Sequence, residues 1–284
     1  MSNRIPASPA PASAEDKPLG ISVPTLDAPG GTDTDSWQHL RQFTAARIAL
    51  GRTGGSQRTD SVLDFRMSHA RARDAVHATF DADALEVALR KRELSSFRLA
   101  TAAPDRQTYL LRPDLGRKLD PASHQSLLAQ ASAWGRRDLA IIVSDGLAAQ
   151  AAERHAVATL APLISQLVAN GWTHFPIFVV PFGRVKLQDE IGALLGARHT
   201  LMLLGERPGL GSPDSLGAYF TVAPRRECTD ADRNCVSNIR PEGLPPAAAA
   251  AKLGQLLQAS ARLGLSGIAL KDSGGPHPGP PGLT

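Results

Sequence analysis

Three glycine-bearing segments are where this chain could do chemistry. They are Ser144-Asp145-Gly146, Phe182-Gly183-Arg184-Val185-Lys186, and Gly205-Glu206-Arg207-Pro208-Gly209-Leu210-Gly211, and each follows an apolar run that reads as a strand. In open parallel sheets, ligands sit outside the carboxyl ends of the strands, so three such loops on one edge point to a binding site. Taken singly, each is more simply an ordinary strand-to-helix turn. Their glycines would let a backbone approach a large ligand without a Cβ in the way. Neither common phosphate motif fits the third loop. A Walker loop needs Lys and then Ser or Thr after its last glycine, whereas Gly211 is followed by Ser212 and Pro213; the dinucleotide fingerprint must open a helix, and Pro213 and Asp214 follow instead.

The remaining reactive side chains form no catalytic set. Glu206, at a strand end, can accept hydrogen bonds from a ligand's amides or hydroxyls, and its plainer role is an ion pair with Arg207 or another arginine. Cys235 lies in the polar segment 232–238, which reads as a loop. It is seven residues from Cys228, with no neighbouring His to complete a metal site. A catalytic thiolate needs a base, and the eight histidines carry no partner motif. Ser144 lacks the G-x-S-x-G frame of a nucleophile elbow. The expectation is a cofactor- or ligand-holding edge with no catalytic residue and no metal ligand of its own.

The elements that must position these loops change character near residue 105. Residues 35–104 read as a small helical domain, with helices expected over Asp35–Leu50 (ended by Gly51), Ser61–Ala78 and Ala82–Lys91. Residues 105–270 read as an α/β domain with a Rossmann-like, mainly parallel sheet. Its expected strands are Leu139–Val143, Phe175–Val180, Thr200–Leu204 and Gly217–Val222. Its expected helices are a long one stopped by Asn170 and Gly171, a short one over Gln188–Leu195, and a last one over Ala247–Leu263 behind two prolines. Residues 1–34 and 271–284, rich in Pro and Gly, read as disordered tails. No internal repeat is present.

Composition narrows the class. At 284 residues and 42% apolar content, the chain can fill a real core. No run approaches the roughly 20 apolar residues of a membrane span, and the first eighteen residues lack a secretory apolar stretch, so an intracellular protein is expected. Two cysteines are too few for a disulfide framework. The net charge of +4 comes from 31 Lys and Arg scattered against 27 Asp and Glu, with no basic stripe carrying interleaved aromatics, which argues against nucleic acid. The excess is mainly arginine, suited to carboxylates, phosphates and protein interfaces.

Six stretches together resemble one family. TAARIALGRTGG at 44–55, YLLRPDLGRKL at 109–119, IIVSDGL at 141–147, FGRVKLQDEIGALLGA at 182–197, LLGERPGLGSPDSLGAY at 203–219 and DRNCVSNI at 232–239 resemble, in order and spacing, the small (light) subunit of ethanolamine ammonia-lyase. The resemblance covers about residues 40–265. It implies a subunit of a lyase that converts ethanolamine to acetaldehyde and ammonia with adenosylcobalamin. It further implies a hetero-oligomer in which a barrel-shaped large subunit carries the substrate and the catalytic residues, and the small subunit helps enclose the corrinoid. By the same resemblance, the valine of G-R-V-K, the glutamate of G-E-R-P-G-L-G and the cysteine of C-V-S-N touch the cofactor; here these are Val185, Glu206 and Cys235. A wide corrinoid with peripheral amides suits glycine-lined loops and a few acceptors. The D-x-H-x-x-G cobalamin motif is absent, so no His is expected on cobalt. The family implies a bacterial microcompartment, with the cytoplasm as alternative, yet residues 1–18 do not form an amphipathic targeting helix. Against an independent Rossmann-like enzyme stand the two failed glycine motifs. Against a purely structural subunit stand Val185, Glu206 and Cys235 in matching contexts.

Overall fold

The strand with the sequence LAIIVS is apolar on both faces, which is what a strand covered by helices on each side requires. In the computed structural model, which describes residues 35–44 and 46–271, this strand is β2 (Leu139–Ser144) and every residue in it is buried. The sheet also contains β1 (Ser96–Arg98), β3 (Ile177–Val179), β4 (His199–Gly205), β5 (Leu216–Val222) and β6 (Asn234–Ile239), in the order β1-β3-β2-β4-β5-β6. The first four are parallel, while β5 runs antiparallel to β4 and β6 antiparallel to β5. The sheet is therefore mostly parallel, but it departs from the doubly wound 3-2-1-4-5-6 order.

Side chains alternate between two cores, as the period of a strand demands. Leu139, Ile141, Val143, Leu201 and Leu203 face one cluster, and Ala140, Ile142, Met202 and Leu204 face the other. The first is covered by α2 (Ala82–Arg90), α5 (Ala149–Ala169) and α7 (Pro246–Leu263). The second is covered by α4 (Pro121–Trp134) and α6 (Leu187–Leu195). Two further helices, α1 (Thr59–His77) and α3 (Arg106–Leu111), complete the seven α-helices among the described residues. No helix among the described residues is long and apolar enough to cross a membrane.

Most expected elements form where the sequence places them, including the stop of α5 at Asn170 and the short helix α6, which ends at left-handed Gly196. Three expectations are corrected. Asp35–Leu50 is not a helix: among its described residues only Gln38–Gln42 makes a 3-10 turn, because Trp37 and Phe43, 63% and 47% exposed, find no core to pack on. The segment after it is tied to α1: Arg47 donates to the Ser68 hydroxyl and the Ser61 carbonyl, each at 3.2 Å. Arg47 pairs there with Asp64 at 2.6 Å and lies over the Phe65 ring at 5.6 Å. The stretch around Cys235 is not a loop but strand β6, hidden from pattern reading because it is an edge strand with few buried side chains. β3 is shorter than expected, starting after Pro176, which has no N–H for a ladder. The helical part before residue 105 also shares the main core, since Ala82, Leu85 and Leu89 pack with α5 and β1 is a strand of the sheet. Residues 1–34 and 272–284, read as tails, lie outside the described residues.

Candidate functional site

The parallel strands do bring the three loops to one edge, but the first is consumed by holding the others. Asp145 is fully buried; it accepts from the Phe182 N–H at 2.6 Å and the Ser144 hydroxyl at 3.1 Å, and pairs with Arg106 at 2.8 Å. Burial pushes its carboxyl above the usual range, against the pull of the Arg106 guanidinium and the Phe182 N–H. Ser144 in turn accepts from the Gly183 N–H at 2.8 Å. The room expected for a ligand at the glycines is taken by the chain itself. A Cβ on Gly183 would lie 2.8 Å from the Ser144 hydroxyl, and one on Gly205 would overlap the Ala148 carbonyl.

The second loop is clamped by the stretch 109–117. The Arg184 guanidinium stacks on the Tyr109 ring at 4.1 Å and donates to the Tyr109 carbonyl at 3.1 Å, and the Tyr109 hydroxyl donates to the Gly183 carbonyl at 3.1 Å. The Arg184 N–H donates to the Gly116 carbonyl at 2.7 Å. This fixes Val185, half-buried against the core beneath it.

A buried ion pair joins this loop to the segment carrying Cys235. Arg233 donates to Asp189 of α6 at 2.8 Å, with both side chains almost fully buried, while the Lys186 ammonium donates to the Cys228 carbonyl at 2.7 Å. Burial pushes the Asp189 carboxyl up to about 6, opposed by the charges of Arg233 and Lys186. The outcome is an open cleft of about 630 Å³ whose walls include Arg117, Val185, Lys186, Tyr219 and Cys235.

Val185 and Cys235 therefore line one cleft, with Tyr219 registered opposite Cys235 on the neighbouring strand. Glu206 is not on the lining but lies within electrostatic reach of Tyr219 and Cys235. One oxygen of its carboxylate accepts from the Ser215 hydroxyl and, at 3.3 Å, from the Asn238 N–H. The other accepts no hydrogen bond, and no ion pair to Arg207 forms among the described residues. Burial pushes the Tyr219 phenol and the Cys235 thiol up, so both are neutral near pH 7. Cys235, exposed and protonated, is thus a poor nucleophile. An apolar wall, a neutral phenol, a neutral thiol and a half-free carboxylate can bind and orient a group, but they make no acid, base and nucleophile set.

Pattern reading missed Tyr219, Arg184 and Arg233, although each lies inside a resembling stretch. Their roles depend on partners far away in sequence.

The family model described as ethanolamine ammonia-lyase light chain matches residues 34–271. The chain is similar to the ethanolamine ammonia-lyase small subunit of Azotobacter vinelandii, 56% identical over 237 residues that span 83% of this chain and 88% of that one. It is also similar to the small subunits of Pseudomonas aeruginosa (52% identical over 245 residues, 86% and 90% of the two chains) and of Pseudomonas putida (51% over 247 residues, 87% and 91%).

Proposed function

The chain belongs to the family of ethanolamine ammonia-lyase light chains, and on that premise we propose that it forms one wall of an adenosylcobalamin site completed by a large subunit. As a small subunit of that lyase, it takes part in the conversion of ethanolamine to acetaldehyde and ammonia. The observation that carries the cofactor reading is the shared cleft: Val185 and Cys235, 50 residues apart, stand on it together, with the free oxygen of Glu206 close by.

The residues fit the group. Clefts of roughly 300–1,000 Å³ enclose drug-sized ligands, and a corrinoid with its nucleotide arm is much larger, so an open cleft of about 630 Å³ suits an edge of it and leaves the rest to a partner. Its peripheral amides are donors for the free Glu206 oxygen. When bound, the group supplies radical chemistry at its cobalt–carbon bond. What this chain contributes is packing by Val185 and Cys235, acceptance of amide hydrogens by Glu206, and exclusion of water from that side.

The partner half of the reading is supported by the segment before α2. Among the described residues from 35 to 77 only Ala75 is buried, while Trp37, Phe43, Leu63, Phe65 and Met67 are exposed. So much apolar surface on one arm suits a second chain.

The test reconstitutes Glu206→Ala with the large subunit and titrates adenosylcobalamin by absorbance. Hydrogen bonds to a charged acceptor are worth about 1.5–3 kcal/mol, so affinity should fall at least about tenfold. Unchanged affinity in an intact complex would remove Glu206 from the site, and ammonia release by this chain alone would overturn the subunit reading.

A further inference from the structure

The cleft carries more positive charge than its own acids consume. Arg117, Arg184, Lys186 and Arg233 line it against a single acid, Asp230. Three of these cations are committed within the chain. Arg233 is held by Asp189 at 2.8 Å, Lys186 by the Cys228 carbonyl at 2.7 Å, and Arg184 by Tyr109. Arg117 is different: it is exposed, and its guanidinium makes no hydrogen bond or ion pair among the described residues. An adjoining hollow of about 390 Å³ shares Arg117 and Lys186 and adds Lys118, whose ammonium is equally without a bond. Arg226 lines that hollow too, and its acids are already paired: Asp114 with Arg112 at 2.7 Å, Glu190 with His124 at 3.1 Å and Arg226 at 3.6 Å, and Asp189 with Arg233 at 2.8 Å and Lys186 at 3.4 Å.

We infer that Arg117, seconded by Lys118, is an anion subsite at the seam of the two hollows, and that its ligand is the phosphodiester in the nucleotide arm of the bound cofactor. The inference rests on the proposed cofactor reading and specifies how the corrinoid lies in the cleft. The corrin's side chains are uncharged amides, and the phosphodiester is its one anionic substituent. A guanidinium fork matches phosphate oxygens with two parallel hydrogen bonds. The nucleotide arm then points toward Arg117, while the corrin edge lies against Val185 and Cys235. The simpler alternative is a solvated surface arginine.

The experiment uses the two-subunit complex and two ligands, adenosylcobalamin and adenosylcobinamide, the second lacking the phosphodiester and the base. Affinities are read by absorbance titration for wild type, Arg117→Ala, Arg117→Lys and Glu206→Ala. Arg117→Ala should weaken adenosylcobalamin about tenfold and leave adenosylcobinamide unchanged, with Arg117→Lys in between. Because the Arg117 guanidinium makes no hydrogen bond or ion pair among the described residues, assembly should be unaffected, and near-ultraviolet circular dichroism checks this. Equal losses for both ligands, or a loss for neither, would overturn the phosphodiester assignment. The two failures separate cleanly. If Glu206→Ala weakens both ligands while Arg117→Ala weakens neither, only the subsite falls; if neither variant changes either affinity, the cofactor reading of the cleft falls with it.

Discussion

Along one edge of the sheet, two neighbouring groups of polar residues are used in opposite ways. Where the parallel strand β2 ends, Ser144, Asp145 and Arg106 bond to one another and to the next loop. Farther along, where antiparallel β5 and β6 extend the sheet, Tyr219 and Cys235 face an open cleft, and the Arg117 guanidinium and one Glu206 oxygen make no hydrogen bond among the described residues. The difference follows from burial. A carboxylate as enclosed as Asp145 must be paired and hydrogen-bonded, since an uncompensated buried charge is too costly to persist. Groups at an exposed edge can satisfy themselves with water, and so remain available to a ligand. The first group is a frame and the second is the surface that it presents.

The largest effect expected from breaking this contrast is at Asp145. Asp145→Ala takes the acceptor from the Phe182 N–H and the carboxylate partner from Arg106, which keeps only the Val76 and Gly146 carbonyls, and chemical denaturation should show a loss of about 3–5 kcal/mol. A loss below about 1 kcal/mol would mean that the frame does not depend on it.

The sealed interior can also be probed through pH. His199, at the start of β4, is fully buried against Trp172 with one ring nitrogen 3.1 Å from the Ser260 hydroxyl. Burial, and then the nearby Arg198, depress its pKa from 6.5 to about 4, while Asp138 pulls the other way. In the unfolded chain it takes a proton near pH 6.5 and in the folded chain only near 4, so stability is lost as pH falls through that window. Asp189, raised to about 6, acts with the opposite sign, its contribution being lost as pH rises toward 6. The comparison with His199→Gln isolates the histidine. Between pH 6.5 and 4 the wild type should lose up to about 3 kcal/mol more than the variant; parallel curves would show that His199 is not held neutral.

The smallest effect belongs to the cleft. Tyr219→Phe removes a hydroxyl beside the Cys235 thiol that favours its thiolate, so stability should change by no more than about 1 kcal/mol. The phenol lowers the thiol's pKa against the effect of burial, and its loss should slow alkylation of Cys235, while buried Cys228 stays unlabelled. Faster labelling would contradict the arrangement of the two side chains.

Much of the frame was legible in the residues themselves. Leu139–Val143 and Thr200–Leu204 are apolar on both faces, and helix ends such as Asn170-Gly171 carry their own stop signals, because these are local effects of side chain and backbone. Less was legible where the signal is weak. β6 exposes Cys235, Ser237 and Asn238, and so reads as polar loop; its strand conformation comes from pairing with β5. The Asp35–Leu50 pattern has helical spacing but no core to face, and periodicity alone does not supply one.

Val185, Glu206 and Cys235 could be named as a group through the family resemblance carried by their motifs, and the cleft itself could not. By itself the amino-acid sequence determined the alternation of apolar runs, the caps and the family. Which polar groups are spent inside the protein and which stay open to the cleft was decided only by the tertiary structure. The physical reason is distance along the chain: the Asp145 carboxylate is satisfied by an N–H 37 residues away and that of Asp189 by a guanidinium 44 residues away, and no local pattern encodes such a partner.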